Sequence, residues 1–323
     1  MRSLERSTRR ENPMNSTLID AIIEEKRPPN KFLSEMKMVI PWQKIREVLE
    51  KEIVRSGRGR PSYDLILMFK MLLVKTWYNL SDEGTEFQIR DRLSFKEFCE
   101  LNMMDKVPDA SCLEDFRHMI EKHELMSKLL DLVNEQCEEK GLLLRKGNIV
   151  DASFIEANCT PSKKADRSDP EAQFGHKGFG YSAHVNADED SKLIIKINTT
   201  AANTPDYKGL EGILDEKTKE CMMDRGYDYP EAHQKLEKTE CVDFIMKKKK
   251  KGKELSLFDK IRNKAISSVR CRVEHIFGVW DNTFKFFRAS YRGLKKVKAQ
   301  IETVALAYNF KRIGFFVRGL AWN

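Results

Sequence analysis

The sequence predicts an α+β or α/β protein in which an all-helical N-terminal region is followed by strands alternating with helices. Three observations carry that reading. Upstream of Glu139 the apolar residues recur at helical spacing, as at Ile45, Val48, Leu49 and Ile53. From Gly147 onward short runs rich in β-branched and aromatic residues appear, in the order strand, strand, strand, helix, strand, helix, strand, helix. With 323 residues, 41% of them hydrophobic, the chain is long enough for two domains and a sizeable core.

The net charge of +8, with a third of the residues charged, suits a soluble protein whose partner is a polyanion. Every long apolar stretch is interrupted by charge, and Arg2, Glu5, Arg6, Arg9 and Arg10 leave the N-terminus without an apolar signal core. No membrane span and a cytoplasmic location are expected. The seven cysteines are odd in number and include no C-x-x-C pair, which argues against a disulfide framework or a zinc ribbon. Cys271 and His275 lie one helical turn apart, with no second pair nearby to complete a metal site.

Residues 1–37 read as a polar basic arm with one short helical pattern around Leu18, Ile19, Ile22 and Ile23; it either pairs with DNA or another subunit or is mobile. Residues 38–140 read as a helical DNA-binding domain. Its first helix ends at Ser56-Gly57-Arg58-Gly59-Arg60-Pro61, where Arg58 and Arg60 on slim backbone suit insertion into a DNA minor groove. The ordinary alternative is a linker in which Pro61 starts the next helix. Tyr63 to Tyr78 is apolar nearly all round and reads as a central helix. Ser94 to Glu97 and Ser111 to Glu114 both have the form of capping boxes, so helices are expected just after Ser94 and Ser111. That pair suits a helix-turn-helix with Arg117, His118 and Lys122 facing DNA, and a generic helical bundle fits the same pattern. A connecting helix follows from Glu124 to Glu139.

The catalytic signals begin at Lys146 to Glu156, a buried strand that starts at a turn and carries Asp151. A carboxylate there is costly unless it holds a metal or is satisfied by an Arg or by backbone N–H groups. A polar loop is expected over Thr160 to Phe174, then strands Tyr181 to Asn186 and Lys192 to Thr199 joined by an acidic turn. Asp206 ends an extended run, where a helix N-cap is the ordinary role. Asp224 closes the next strand, just before Gly226, and Asp206 is its rival as a site residue. A helix over Pro230 to Glu240 and a strand over Cys241 to Met246 lead to the lysine run 247–251. Lys248 and Lys250 in that run either face solvent or lie beside DNA. In the helix from Phe258 to Trp280, Arg270 precedes Glu274 by one turn, so both project from one face. Arg270 is read as orienting Glu274, as touching DNA, or as a plain helix ion pair. Two strand aspartates and a helix glutamate, Asp151, Asp224 and Glu274, suit an all-oxygen site for two hard cations such as Mg²⁺.

These residues also carry a resemblance. Val150-Asp151-Ala152, Asp224-Arg225-Gly226-Tyr227 and Arg270-x-x-x-Glu274 resemble the three acidic motifs of DDE transposases of bacterial insertion sequences, of the insertion-sequence-five type. Asn79 to Asp82, Pro108 to Ala110, Phe116 to His118, Gly141 to Leu144, Phe179 to Tyr181, Ala202-Asn203 and Tyr291 to Leu294 follow the family order between Met38 and Phe315. The resemblance implies a ribonuclease-H-like mixed-sheet catalytic domain over residues 141–316, with no large β insertion because Met246 and Glu274 are too close, and a tail over 317–323. It implies two Mg²⁺ ions, with Mn²⁺ able to substitute, held by Asp151, Asp224 and Glu274. The implied partner is double-stranded DNA, both element ends and target, bound by a homodimer or larger assembly in a bacterial, nucleoid-associated setting. The family's fuller signature has Tyr three residues before the Arg and Lys seven after the Glu; Ser267 and Asp281 stand there instead. Two other readings share these residues, a metal-dependent nuclease without strand transfer and a non-catalytic DNA-binding descendant.

Overall fold

The computed structural model describes residues 30–53, 62–161, 163–164, 168–214, 217–249 and 252–320. Most of the arm and the segment containing Arg58 and Arg60 lie outside the described residues, as does Lys250. The helical region holds α1 (Lys31–Val39), α2 (Trp42–Glu52), α3 (Leu65–Trp77), α4 (Asp82–Asp91), α5 (Leu93–Phe98), α6 (Ala110–Lys122) and α7 (Leu125–Glu139). Helix α1 falls partly within the expected arm. Its N-cap Asn30 accepts a hydrogen bond from the Leu33 N–H, and Leu33 and Met36 are buried, so residues 31–37 are packed helix.

Neither capping box forms as the sequence suggested. Helix α5 starts at Leu93 with no side-chain cap, and α6 starts at Ala110 because Asp109, not Ser111, takes the N-cap. Asp109 Oδ1 accepts from the Cys112 N–H at 2.9 Å and from the Ser111 hydroxyl at 2.7 Å, which holds its carboxyl down at about 2. A full negative charge suits the positive end of the helix better than a hydroxyl does. The connection from Cys99 to Asp109 is also much longer than a helix-turn-helix turn, and α6 packs instead on α4.

The sheet contains β1 (Asn148–Glu156), β2 (Gln173–Phe174), β3 (Phe179–Asp188), β4 (Ile194–Ala201), β5 (Glu220–Met223) and β6 (Val242–Ile245), with α8 (Pro230–Lys238) between β5 and β6. From β2 the order is β2-β3-β1-β5-β6, and β4 pairs with the same strand β3. Strand β3 runs antiparallel to β1 and β4, while β1, β5 and β6 are parallel, giving the ribonuclease-H-like mixed sheet that the resemblance implies. After β6 come α9 (Leu257–Arg270), α10 (Glu274–Asn282) and the long α11 (Leu294–Leu320), which runs on into the segment expected as a tail.

One hydrophobic core spans both regions, from Met36 and Phe69 through Ile149 and Val185 to Ile301 and Phe310. Helix α11 is the reason, since it packs on α1, α3 and α7 as well as on β4. Asn309 of α11 accepts from the Ile194 N–H and donates to the Ile194 carbonyl, both at 2.8 Å, and so satisfies the backbone where β4 begins at the sheet edge. A smaller core on the opposite face joins Val150, Met223, Tyr227 and Leu236.

Three family-like residues, Asp82, Arg117 and Tyr291, meet Lys75 where the helical region joins the connection between α10 and α11. Asp82 accepts from Arg117 at 2.5 Å and pairs with Lys75 at 3.1 Å, and the Arg117 guanidinium lies 4.3 Å from the Tyr291 ring centre. Arg117 is therefore engaged inside the protein rather than turned to DNA, because its side chain is only 13% exposed beside a carboxylate and an aromatic face. Lys122, one turn further along α6, remains exposed. The expected loop over 160–174 is anchored in its second half, where buried Asp169 accepts from the Tyr181 hydroxyl and Glu171 accepts from the Leu294 N–H. The acidic turn after β3 is likewise tied down by protein contacts: Asp188 accepts from the Ser191 N–H and the Arg145 N–H, and Glu189 pairs with Arg272. No described helix is long and apolar enough to cross a membrane.

Candidate active site

Register places the first two acids. Val150 of β1 is level with Met223 of β5, so the next residues, Asp151 within β1 and Asp224 just past the end of β5, come side by side on neighbouring parallel strands. Val150 and Met223 belong to the smaller core, so by the alternation of a strand Asp151 and Asp224 face the opposite side, where α9 packs. Crevices at the carboxyl ends of parallel strands are where open α/β sheets bind their ligands.

Asp151 is held by Arg270, the last residue of α9, whose Nη1 donates to Oδ2 at 2.5 Å, and Oδ1 accepts from the Ala152 N–H at 3.0 Å. Burial still raises its pKa to about 6; Arg270 opposes that, while Asp224 and Asp206 add to it. Asp224 accepts from the Gly226 N–H at 2.7 Å and so caps the short 3₁₀ turn Arg225–Tyr227. Asp206 comes to the same place from the turn Asp206–Leu210, which lies on β3 and β4. Gly209 allows that approach, because a Cβ there would stand 2.3 Å from the ring of buried His184. Tyr227 is fully buried and its hydroxyl has no hydrogen-bond partner among the described residues. Burial, then the charges of Asp206, Asp151 and Asp224, push that phenol well above its ordinary range.

The glycine of Asp224-Arg225-Gly226-Tyr227 has a steric reason. A Cβ on Gly226 would lie 2.8 Å from Asp206 Oδ2 and 2.8 Å from Asp224 Oδ1, closer than side-chain carbons come to oxygen. Gly226→Ala is expected to force the two carboxylates apart and weaken Mn²⁺ binding by roughly 10–100-fold, the range typical of disturbed metal surroundings. Isothermal titration of the full chain with Mn²⁺ measures it, and unchanged affinity would contradict this role for the glycine.

Glu274 stands differently from the sequence expectation. The helix breaks after Arg270 into a 3₁₀ turn, Cys271–Val273, and α10 restarts at Glu274. At three residues per turn instead of 3.6, Glu274 is carried further round the axis than the α-helical offset that would align it with Arg270. It is exposed in the first turn of α10, and Asp206 rather than Glu274 is among the groups acting most strongly on Asp151. As the side chains stand, no three His, Cys, Asp or Glu among the described residues close on one ion.

The donor chemistry nonetheless fits a divalent cation. Two carboxylates flank a cradle that a single Cβ would fill, and their charges reach the buried Tyr227 hydroxyl, which has no partner among the described residues. Asp151 pairs with a guanidinium, a charge that an ion can replace. The Cys271 and His275 pair is used otherwise, Cys271 Sγ donating to the Ser268 carbonyl and His275 lying beside the Tyr308 hydroxyl.

Beside the acids runs an open groove lined by Arg225, Lys247, Lys249, Lys260 and Lys264. Its lysine wall is fixed by Asp228, which accepts from the Lys248 N–H at 2.8 Å and pairs with Lys247, and which is itself braced by His233. Lys248 packs over the Tyr229 ring. Lys260 and Lys264 were not singled out in the sequence; their i,i+4 spacing on α9 was the available signal.

Residues 143–310, just over half the chain, match the family described as "Transposase DDE domain", and residues 21–119 match the one described as "Transposase domain (DUF772)". No solved structure matches the chain.

Proposed function

The chain belongs to the DDE transposase family, and we propose that it cuts DNA at the terminal inverted repeats of its own insertion sequence and joins those ends to target DNA. The observation that carries this is the side-by-side placement of Asp151 within β1 and Asp224 just past β5, beside a basic groove. In this reading Asp151, Asp224 and Glu274 hold two Mg²⁺ ions, for which Mn²⁺ substitutes. Bound there, the ions would lower the pKa of an attacking water or 3′-hydroxyl and neutralise the leaving oxygen of an in-line displacement at phosphorus.

The protein's own residues do the rest. Asp151 must turn away from Arg270 to become a ligand, and the freed guanidinium is placed to take a DNA phosphate. Glu274 contributes from the start of α10 once that ion pair has opened. Arg225, Lys247, Lys249, Lys260 and Lys264 of the groove, with Lys248 beside them on Tyr229, track the phosphate backbone and set the duplex against the acids. No covalent enzyme intermediate is required, so no nucleophilic side chain is needed.

Replacing Lys247, Lys260 and Lys264 together with Ala is expected to weaken DNA binding and to reduce the slope of log affinity against log salt by about 1 for each phosphate that is no longer neutralised. A gel-shift series in rising salt reads both, and an unchanged slope would remove the groove from the DNA path. For the function itself, the test is a Mg²⁺-supplied reaction on a duplex bearing the element's ends. Nicking followed by a joined product is the expected result. Nicking without joining would make the protein a nuclease, and binding without nicking would make it a non-catalytic DNA binder.

A further inference from the structure

The sequence marks Asp206 as a helix cap or as a rival to Asp224. It caps nothing: the N-cap of the turn Asp206–Leu210 is Pro205, and Asp206 is the first residue inside it. Among the described residues its carboxylate has neither a hydrogen bond nor an ion pair; burial, then the charge of Asp224, disfavours its ionised form, and Lys177 and His176 oppose that only in part. An oxygen of each acid stands 2.8 Å from the point that a Cβ on Gly226 would occupy, so the two face a shared space kept open by the absence of a side chain. The second observation is independent of the acids. Tyr227, the residue after that glycine, is fully buried with an unpartnered hydroxyl close to Asp206, Asp151 and Asp224.

An acidic pair left facing itself, with a polar hydroxyl sealed beneath it, is a costly arrangement for a protein that keeps it empty. We infer that Asp206 is a fourth metal-ligating carboxylate, sharing with Asp224 one of the divalent cations used in DNA cleavage. The inference rests on the metal reading of the site given above. It assigns that ion a ligand from the β4-to-β5 connection, outside the three acidic motifs. The Tyr227 hydroxyl then serves as a positioning group beneath the ion, able to donate to a ligating oxygen.

The test uses the full chain without DNA, with Mn²⁺ as the probe, read by electron paramagnetic resonance titration and by thermal unfolding with and without Mn²⁺. Asp206→Asn should weaken Mn²⁺ binding by tenfold or more and reduce the Mn²⁺-induced rise in unfolding temperature. In metal-free buffer the same variant should unfold at or above the wild-type temperature, because repulsion with Asp224 is relieved. A purely structural Asp206 would give the reverse pattern, a lower metal-free unfolding temperature with unchanged Mn²⁺ affinity, and that would overturn the inference. Asp206→Ser serves as the second variant should the amide disturb folding. Asp151→Asn and Asp224→Asn run alongside. If those two lose Mn²⁺ and Asp206→Asn keeps it, only the role of Asp206 fails; if all three keep it, the metal reading of the whole site fails.

Discussion

Asp224→Asn is expected to leave DNA bound while reducing cleavage and joining on the order of 10³-fold or more. The side chain keeps its size and can still accept from the Gly226 N–H, so the turn that it caps should persist. What it loses is the anionic oxygen that a hard cation requires. Metal-assisted charge stabilisation is worth several kcal/mol, and at about 1.36 kcal/mol per tenfold in rate that sets the size of the loss. Binding should hold or tighten, since one negative charge facing a phosphate is removed. Asp151→Asn should lose activity equally but is the less clean variant, because it also takes the partner from Arg270. Paired gel-shift and cleavage assays separate the outcomes. Cleavage within a few fold of wild type would exclude Asp224 as a ligand, and loss of binding would give it a structural role.

Asp82→Ala should produce the largest loss of stability. Asp82, Lys75 and Arg117 have side-chain exposures of 18%, 10% and 13%, so the substitution leaves two cations largely shielded from water without their counter-ion. Removing one partner from a buried ion pair costs about 3–5 kcal/mol, most of it the cost of the charge left behind. The junction also orients Tyr291, so the α10-to-α11 connection should loosen with it. Denaturant unfolding measures the change; a loss under about 0.5 kcal/mol, the level of an ordinary surface substitution, would show that the triad contributes nothing.

The sequence disclosed the helical region, the strand order, Asp151 inside a strand and Asp224 at the end of another, because periodicity and turn residues are local properties. Three features needed the folded chain. The helix break after Arg270 was hidden since Phe258 to Trp280 reads as one continuous amphipathic pattern, and a switch from α to 3₁₀ leaves apolar spacing almost unchanged. The engagement of Arg117 was hidden because its partners, Asp82 and Tyr291, lie 35 residues before it and at the far end of the chain. Asp206 looked like a cap because an acid after Pro205 fits that role; only its approach to Gly226, set by Gly209 against His184, shows what it faces. The lysine run was legible as charge, whereas its anchoring by Asp228 depends on contact across the β5 and β6 ends.

Localised radical cleavage locates the metal on the protein. Fe²⁺ bound in place of Mg²⁺, with ascorbate and peroxide, generates hydroxyl radicals that cut the backbone next to the ion. In the complex with DNA, cuts should cluster near Asp151 and Asp224, with a further one near Glu274, and excess Mg²⁺ should suppress all of them. Cutting spread along the surface, or concentrated away from Asp151 in β1 and the end of β5, would contradict a metal centre at these acids.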